Sequence, residues 1–458
     1  MYSLKQLVIS GRKRRWILMD LETSLPLLYP LRYHIDHLAF RSLSTQSASL
    51  YEFWRQKYGV SFCYSFYSSD HNPDIAVGEM PAFWMYLENG HNVQSNVLSL
   101  TRVTKANSLT HTVRVRAVIH FISFLINTYI SPAYRDDSPK ALSLLASRLH
   151  TRLQLCRENY RTLTSNKFSQ HSHSSQGFQS LSGAMVLSLY GIITPSSAQK
   201  HNPLNPFPSG HLQFRNFLII RLLLNYGLRT GELLLLECSS IKPNLKGDKF
   251  SLIVTTVDEA YEPRKNAPSL KNAWANRVLE LDKQDYIFLS IYIAKLRPKT
   301  DKHDFIFTSS QQSAKPLSYT SVHSIFSKID QVFTNQYPEY KSPLYSDSLQ
   351  RLTPHTTRHT WAFLTLQKIW HLKYLKSQQN KTHFIAEVPS LSGIMEEAKD
   401  ELRLMGGWSP TSQMPDLYAK RFLSEQANAA NVQRIIQDNA ALHNTLDTIM
   451  DRYNDDII

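Results

Sequence analysis

The chain has 458 residues and a formal net charge of +14, from 51 Lys and Arg against 37 Asp and Glu. That length allows two or three domains with a sizeable core, and the positive excess points to a polyanionic partner, although the same balance also fits ribosomal and membrane-surface proteins. Cys63, Cys156 and Cys238 stand far apart with no CxxC pair, which argues against a disulfide framework or a structural zinc and for a reducing compartment.

Residues 1 to 43 carry the cluster Arg12-Lys13-Arg14-Arg15 and a short apolar run, then break at Pro26 and Pro30. A strand or two is predicted here. The cluster reads as a solvated charge run, with a DNA-contacting arm as the alternative. Trp16-Ile17-Leu18-Met19 is cut off by Asp20 and Glu22, too early for a secretory leader. Phe217 to Leu224 is interrupted by Arg221, and no uninterrupted apolar stretch reaches bilayer length. A soluble cytoplasmic protein is therefore expected.

From 44 to 165 the pattern turns helical. Leu50 to Trp54, Pro81 to Leu87 and Thr112 to Ile126 are the strongest runs. In the last, Val115, Val118, Ile119, Ile122 and Leu125 or Ile126 recur at helical spacing, with Arg114 and Arg116 elsewhere on the wheel. Phe53, Trp54, Phe121 and Phe124 read as core rather than as base-stacking platforms. Residues 166–177 are polar, Ser-rich and aperiodic, which predicts a linker. Its His171 and His173 lack carboxylate or Cys partners for a metal.

A Pro-rich loop, Thr194 to Gly210, leads into a long helix ending at Gly227. Phe250 to Val257 is rich in β-formers and Arg277-Val278-Leu279-Glu280-Leu281 alternates, so a small sheet is expected on one edge of a helical domain. Helices resume over Gln284–Leu296 and Tyr319–Phe333, and Ser424 to Asp451 forms a helical tail that packs in cis or on a neighbouring protomer. The fold class is mainly α with a small antiparallel sheet.

Two stretches carry chemistry. In Pro354-His355-Thr356-Thr357-Arg358-His359, Thr353 and Pro354 read as helix cap and first position, which sets His355 and Arg358 one turn apart on one face. A helix N-terminus beside them favours an anion, so a phosphate can be gripped without a metal. Downstream, Gly407-Trp408 leads through a turn-rich segment to Tyr418-Ala419-Lys420. Upstream, Tyr226-Gly227-Leu228-Arg229-Thr230-Gly231-Glu232 places an acid in the first helical turn after Arg229, where it suits the dipole and can hold that arginine.

His-x-x-Arg-His after a proline, a Gly-Trp segment, a Tyr-Ala beyond it and an upstream Arg-Thr-Gly-Glu box, in this order, resemble the tyrosine recombinases, or phage integrases. The likeness runs from about residue 178 to 422. It implies a helical core-binding domain over 44–165 that clamps DNA, after an N-terminal basic segment over 1–43. It also implies a catalytic domain over 178–423 and a separate tail over 424–458. It assigns Tyr418 as nucleophile, Arg229, His355, Arg358 and Trp408 as stabilisers of the transition state, and Lys271 as general acid, with Lys265 as runner-up. One residue more than the family's usual number lies between Trp408 and Tyr418.

The implied activity is DNA cutting and rejoining through a 3′-phosphotyrosyl link, for integration or excision of a mobile element. A relaxing topoisomerase and a non-catalytic DNA-binding regulator are the alternatives. The implied partners are double-stranded DNA, three further copies of the chain in a homo-tetramer on paired sites, and accessory DNA-bending or directionality proteins. Neither a metal, a cofactor nor a membrane is demanded. The implied setting is the bacterial cytoplasm, at the nucleoid.

Overall fold

The computed structural model describes residues 2–8, 14–54, 73–81, 83, 105–133, 137–169, 179–196, 199, 201–257, 262–264, 266–310, 313–345, 348–380 and 391–441. Lys265, His171, His173 and Tyr453, together with the side chains of Phe53 and Trp54, lie outside the described residues. The chain forms two compact units: Met1–Ser175 with Asp258–Ala267, and Gln176–Val257 with Pro268–Ile458.

The first unit opens on a hairpin, β1 (Tyr2–Val8) and β2 (Arg14–Asp20), paired antiparallel with Leu4 opposite Leu18 and Gln6 opposite Trp16. The alternation turns Leu18 into the core. Helices α1 (Leu28–Tyr33), α2 (Leu43–Trp54), α3 (Pro73–Gly78), α4 (Lys105–Ala133) and α5 (Pro139–Ser169) follow. The predicted period on α4 is realised: Val115, Val118, Ile122, Leu125 and Ile126 are buried, and Ile119 packs against them. Phe121 and Phe124 join Tyr33 in the core with ring centroids 5.4 and 5.2 Å from it.

Thr112–Ser131 is long and apolar enough to cross a membrane, despite Arg114 and Arg116. Its apolar stripe nevertheless forms the core of this unit. The return of Asp258–Ala267 to the first unit has a local cause. The Arg14 guanidinium donates to the carbonyl oxygens of Glu262 and Arg264, while the buried Glu262 and Arg264 side chains pair at 2.6 Å.

The second unit begins after α5, which carries the first four residues of the expected linker as helix; 170–178 lie outside the described residues. Its elements are α6 (Gly183–Ile193), α7 (Gly210–Asn225), α8 (Thr230–Leu234), β3 (Ile241–Pro243), β4 (Phe250–Val254), β5 (Arg277–Leu281), α9 (Lys283–Ile291), α10 (Tyr319–Gln336), α11 (Pro354–Asn380), α12 (Leu391–Gly406) and α13 (Met414–Ala441). The helix starts obey side-chain capping. Ser182, Ser209, Asp282 and Ser318 each accept a hydrogen bond from a backbone N–H of the helix they precede.

The sheet is antiparallel in the order β3-β4-β5, with Leu252 opposite Leu279 and Val254 opposite Arg277. One core surrounds α7, whose Phe217 through Ile220 and Leu222 through Leu224 are all buried. A second core joins Trp361, Leu366, Met395, Leu402, Tyr418 and Phe422 from α11, α12 and α13. Tyr418 therefore lies in the first turns of a 28-residue helix rather than in the turn-rich segment read from the sequence. Pro415 is tolerated there because a helix's first N–H groups have no intrahelical acceptor, and Asp416 suits the same end.

Candidate active site

Between α7 and α8 the chain reverses at Gly227, whose φ of +58° is in the left-handed region. A Cβ at this position would stand 2.0 Å from Trp361 Cε3, so steric contact and backbone angle both require glycine. The turn delivers Arg229 to the N-cap of α8. Its backbone N–H donates to Glu232 Oε2 at 2.9 Å and its Nη1 to Oε1 at 2.5 Å. From β5, Arg277 Nη2 donates to the same carboxylate at 2.8 Å.

Glu232 is 1% exposed. Burial alone would raise its pKa, but Arg277, Arg358 and Arg229 hold it below the usual carboxylate range. Tied through Nη1, the Arg229 guanidinium turns Nη2 to the carbonyl oxygen of Gly407 at 3.2 Å.

Helix α11 supplies the second arginine. Thr353 Oγ1 accepts from the Thr356 N–H at 3.2 Å, and Pro354 opens the helix as the sequence predicts. His355 is exposed and Arg358, one turn on, is 4% exposed. Arg358 donates from Nη1 to Gly227 O and from Nη2 to Gly406 O, the latter at 2.6 Å. Its guanidinium lies 4.5 Å from the Trp408 ring centroid and 5.8 Å from that of Trp361. Burial first, and then Arg229, push its pKa down to about 9, which leaves it charged at neutral pH.

No carboxylate among the described residues bonds Arg358 directly, and two of its N–H donors are spent on carbonyls. The remaining donors of this buried, planar cation suit the oxygens of an oxyanion.

Tyr418 completes the group. It is 1% exposed, its OH is 2.8 Å from His359 Nδ1, and its ring centroid is 6.1 Å from that of Trp408. Burial pushes the phenol's pKa up to about 12, against the pull of Arg358 and Arg229. Burial, with His355 and Arg358 nearby, pushes that of His359 down to about 4. Two residues before Tyr418, Asp416 Oδ1 is held by Lys399 Nζ at 2.5 Å, and Arg403 stands 3.7 Å from its other oxygen. Three residues after Tyr418, Arg421 Nη1 donates to Ser180 Oγ at 2.8 Å. The helix carrying the phenol is thus fastened on both sides of it.

Five of the six site residues read from the sequence, Arg229, His355, Arg358, Trp408 and Tyr418, meet in this one group. The sixth, Lys271, is exposed in the connection between β4 and β5. Its charge reaches His355, whose pKa is lowered by desolvation and by Arg358, Lys271 and Arg229. Trp408 packs between Arg358 and Tyr418. Tyr374, another tyrosine downstream of Arg358, stacks on Trp370 at 5.2 Å, one helical turn along α11.

Two participants were understated by the sequence. His359, outside the six residues that the resemblance assigns, bonds the phenol. Its i, i+4 spacing from His355, with rings 4.2 Å apart, was the available signal. Arg277 was read only as a strand residue, and no local pattern marks its pairing with Glu232. Three arginines, Arg229, Arg277 and Arg358, act on the one carboxylate of Glu232, an imbalance that a polyanion would relieve. Among the described residues, no three His, Cys, Asp or Glu side chains stand together as a bound metal ion requires.

Residues 200–380 match the model of the phage integrase family. Among solved structures, the chain is similar to residues 82–397 of the Tn1549 transposon integrase in complex with circular intermediate DNA. The identity is 12% and the TM-score 0.38, over 78% of this chain and 93% of that one. It is also similar to the XerH site-specific recombinase bound to its difH substrate in a pre-cleavage complex, at 13% identity and a TM-score of 0.34, over 77% and 78% of the two chains. No curated protein matches the chain.

Proposed function

We propose that this chain, whose residues 200–380 match the model of the phage integrase, or tyrosine recombinase, family, cuts and rejoins DNA through a 3′-phosphotyrosyl intermediate on Tyr418. The phenol oxygen attacks a backbone phosphorus, the bond to the 5′ oxygen breaks, and the phosphate stays attached to the protein. A 5′ hydroxyl from another strand then attacks the phosphotyrosine, the DNA bond re-forms and Tyr418 is released. Bond energy is conserved throughout, because one phosphodiester replaces another.

Charge gathers on the non-bridging oxygens as the phosphorus becomes five-coordinate. Arg229 and Arg358 meet it with permanently charged, planar donors, and His355 adds a ring N–H. Trp408 packs as a floor under Arg358. Lys271 protonates the departing 5′ oxygen and takes a proton from the incoming hydroxyl in the return step. Glu232 holds Arg229 in place without touching DNA. The substrate is double-stranded DNA, bound by a homo-tetramer on paired sites, and the setting is integration or excision of a mobile element.

The observation that supports this reading best is a buried tyrosine sharing one small volume with a buried arginine that no carboxylate among the described residues bonds. Folding keeps such a cation among like charges only at a cost, and an arriving phosphate offsets it. The test is a nicked suicide duplex carrying the ends of the DNA element that encodes the chain. The wild type becomes covalently trapped, while Tyr418→Phe binds the duplex but forms no adduct. A wild type that binds without trapping favours a regulator, and relaxed plasmid without recombinants favours a topoisomerase.

A further inference from the structure

The groups around the phenol of Tyr418 differ in what they can accept. Arg358 and Arg229, whose charges act on the phenol, are guanidinium cations that only donate. Trp408, with its ring 6.1 Å away, offers only an indole N–H donor and no acceptor nitrogen. His359 Nδ1, at 2.8 Å, is within hydrogen-bond reach of the phenol oxygen. Its ring is set by packing: α11 stacks His355 against it edge to face at 4.2 Å. Burial first, and then His355 and Arg358 on the same helix, keep the imidazole neutral, which leaves one ring nitrogen as an acceptor.

We infer that His359 is a further catalytic residue, holding the phenol of Tyr418 through an O–H to Nδ1 hydrogen bond and taking its proton during attack. This rests on the reading of Tyr418 as nucleophile. As the bond from the Tyr418 oxygen to phosphorus forms, the phenolic proton passes to His359 Nδ1 and an imidazolium results. The bond from phosphorus to the 5′ oxygen breaks, and that oxygen receives a proton from Lys271.

In the return step the incoming 5′ hydroxyl gives its proton to Lys271, and the imidazolium returns its own to the departing phenolate. Both side chains end as they began. The transfer accompanies phosphorus–oxygen bond formation rather than preceding it, because the resting phenol is a weak acid and the resting imidazole a weak base. The bound phosphate brings the negative charge that stabilises the imidazolium.

The sulfur-for-oxygen test separates the two proton transfers. Single-turnover cleavage is measured with the full chain on suicide duplexes whose scissile phosphate bears either a 5′-bridging oxygen or a 5′-bridging sulfur, since a thiolate leaves without protonation. Lys271→Ala slows cleavage of the oxygen duplex and recovers on sulfur. His359→Ala slows both by roughly 100-fold or more, and His359→Asn, which keeps an acceptor near Nδ1 but takes no proton, stays equally slow.

Wild-type rates for either His359 variant overturn the inference, and so does recovery of His359→Ala on sulfur. A measurement that needs no DNA guards against misfolded variants. In histidine-labelled protein, the His359 Nδ1 resonance is that of an unprotonated, hydrogen-bonded nitrogen and moves in Tyr418→Phe. A protonated Nδ1, or a resonance unmoved by that substitution, overturns the inference. Failure of the wild type to form any adduct instead sinks the recombinase reading beneath it, a result distinct from any difference between variants.

Discussion

Arg215 in α7 and Arg358 in α11 are both buried, at 6% and 4% exposure, and burial lowers the pKa of each. Their surroundings diverge. Arg215 lies among neutral dipoles, donating to Asn216 Oδ1 at 2.9 and 3.1 Å and to Thr308 O at 2.8 Å, with Tyr292 favouring its charge. Arg358 lies among other cations, Arg229 and Arg277, with Glu232 as the balancing charge. Burial by itself therefore does not mark function. A buried charge crowded by like charges does, because such an arrangement costs stability and needs a ligand to repay it.

Replacing each arginine by methionine breaks or sharpens that contrast. Arg358→Met is expected to cut the rate of covalent trapping by on the order of 10²–10³-fold, as for loss of one transition-state donor. It orphans two carbonyls but relieves the crowding. Arg215→Met orphans Asn216 Oδ1 and Thr308 O, at about 1–3 kcal/mol each, with nothing relieved. Denaturant unfolding should therefore show the larger stability loss for Arg215→Met, and equal losses would erase the distinction.

Glu232→Gln loosens Arg229 and Arg277 together, with trapping slowed by roughly 10²-fold if the guanidinium shifts by about 1 Å. Gly227→Ala forces a left-handed residue against Trp361 and costs at least about 1–2 kcal/mol from the backbone alone. Its denaturation midpoint falls accordingly.

The pH dependence comes next in size. The His359 pKa falls from 6.5 in the unfolded chain to about 4 in the folded one, so the unfolded state binds more protons between those values. Its contribution to stability is complete above 6.5 and is lost as pH falls toward 4. Glu232, also lowered on folding, has the same sign further into acid. Its contribution is present above the ordinary carboxylate pKa and lost below it. A series of unfolding midpoints from pH 7 to 4 should flatten in His359→Asn. The smallest effect is Asp416→Asn, which loosens the half-exposed contact to Lys399 by about 0.2–1 kcal/mol.

How much of this was legible beforehand followed the range of each interaction. Thr353 and Pro354 announced α11, the period of Val115 to Ile126 announced α4, and Glu232 three residues after Arg229 announced their ion pair. All are local, set by helix geometry over one or two turns. The third strand was missed because Ile241–Pro243 is three residues long and ends in proline. Tyr418 was read in a turn because Pro410 and Pro415 are turn residues, although Pro415 also suits a helix start.

Arg277 on Glu232, and Arg14 on the 262–264 segment, bridge 45 residues in one case and about 250 in the other. No sequence pattern of that reach exists to read. The candidate site is in this respect typical, since Arg229, His355, Arg358, Trp408 and Tyr418 were visible while the roles of His359 and Arg277, and most of what holds the group, were not.

The most direct test of the central claim is to digest the protein trapped on a suicide duplex and identify the residue that carries the DNA. A single phosphotyrosyl adduct at Tyr418, linked to a 3′ phosphate, is expected. An adduct on another tyrosine such as Tyr374, or one linked through a 5′ phosphate, would contradict it.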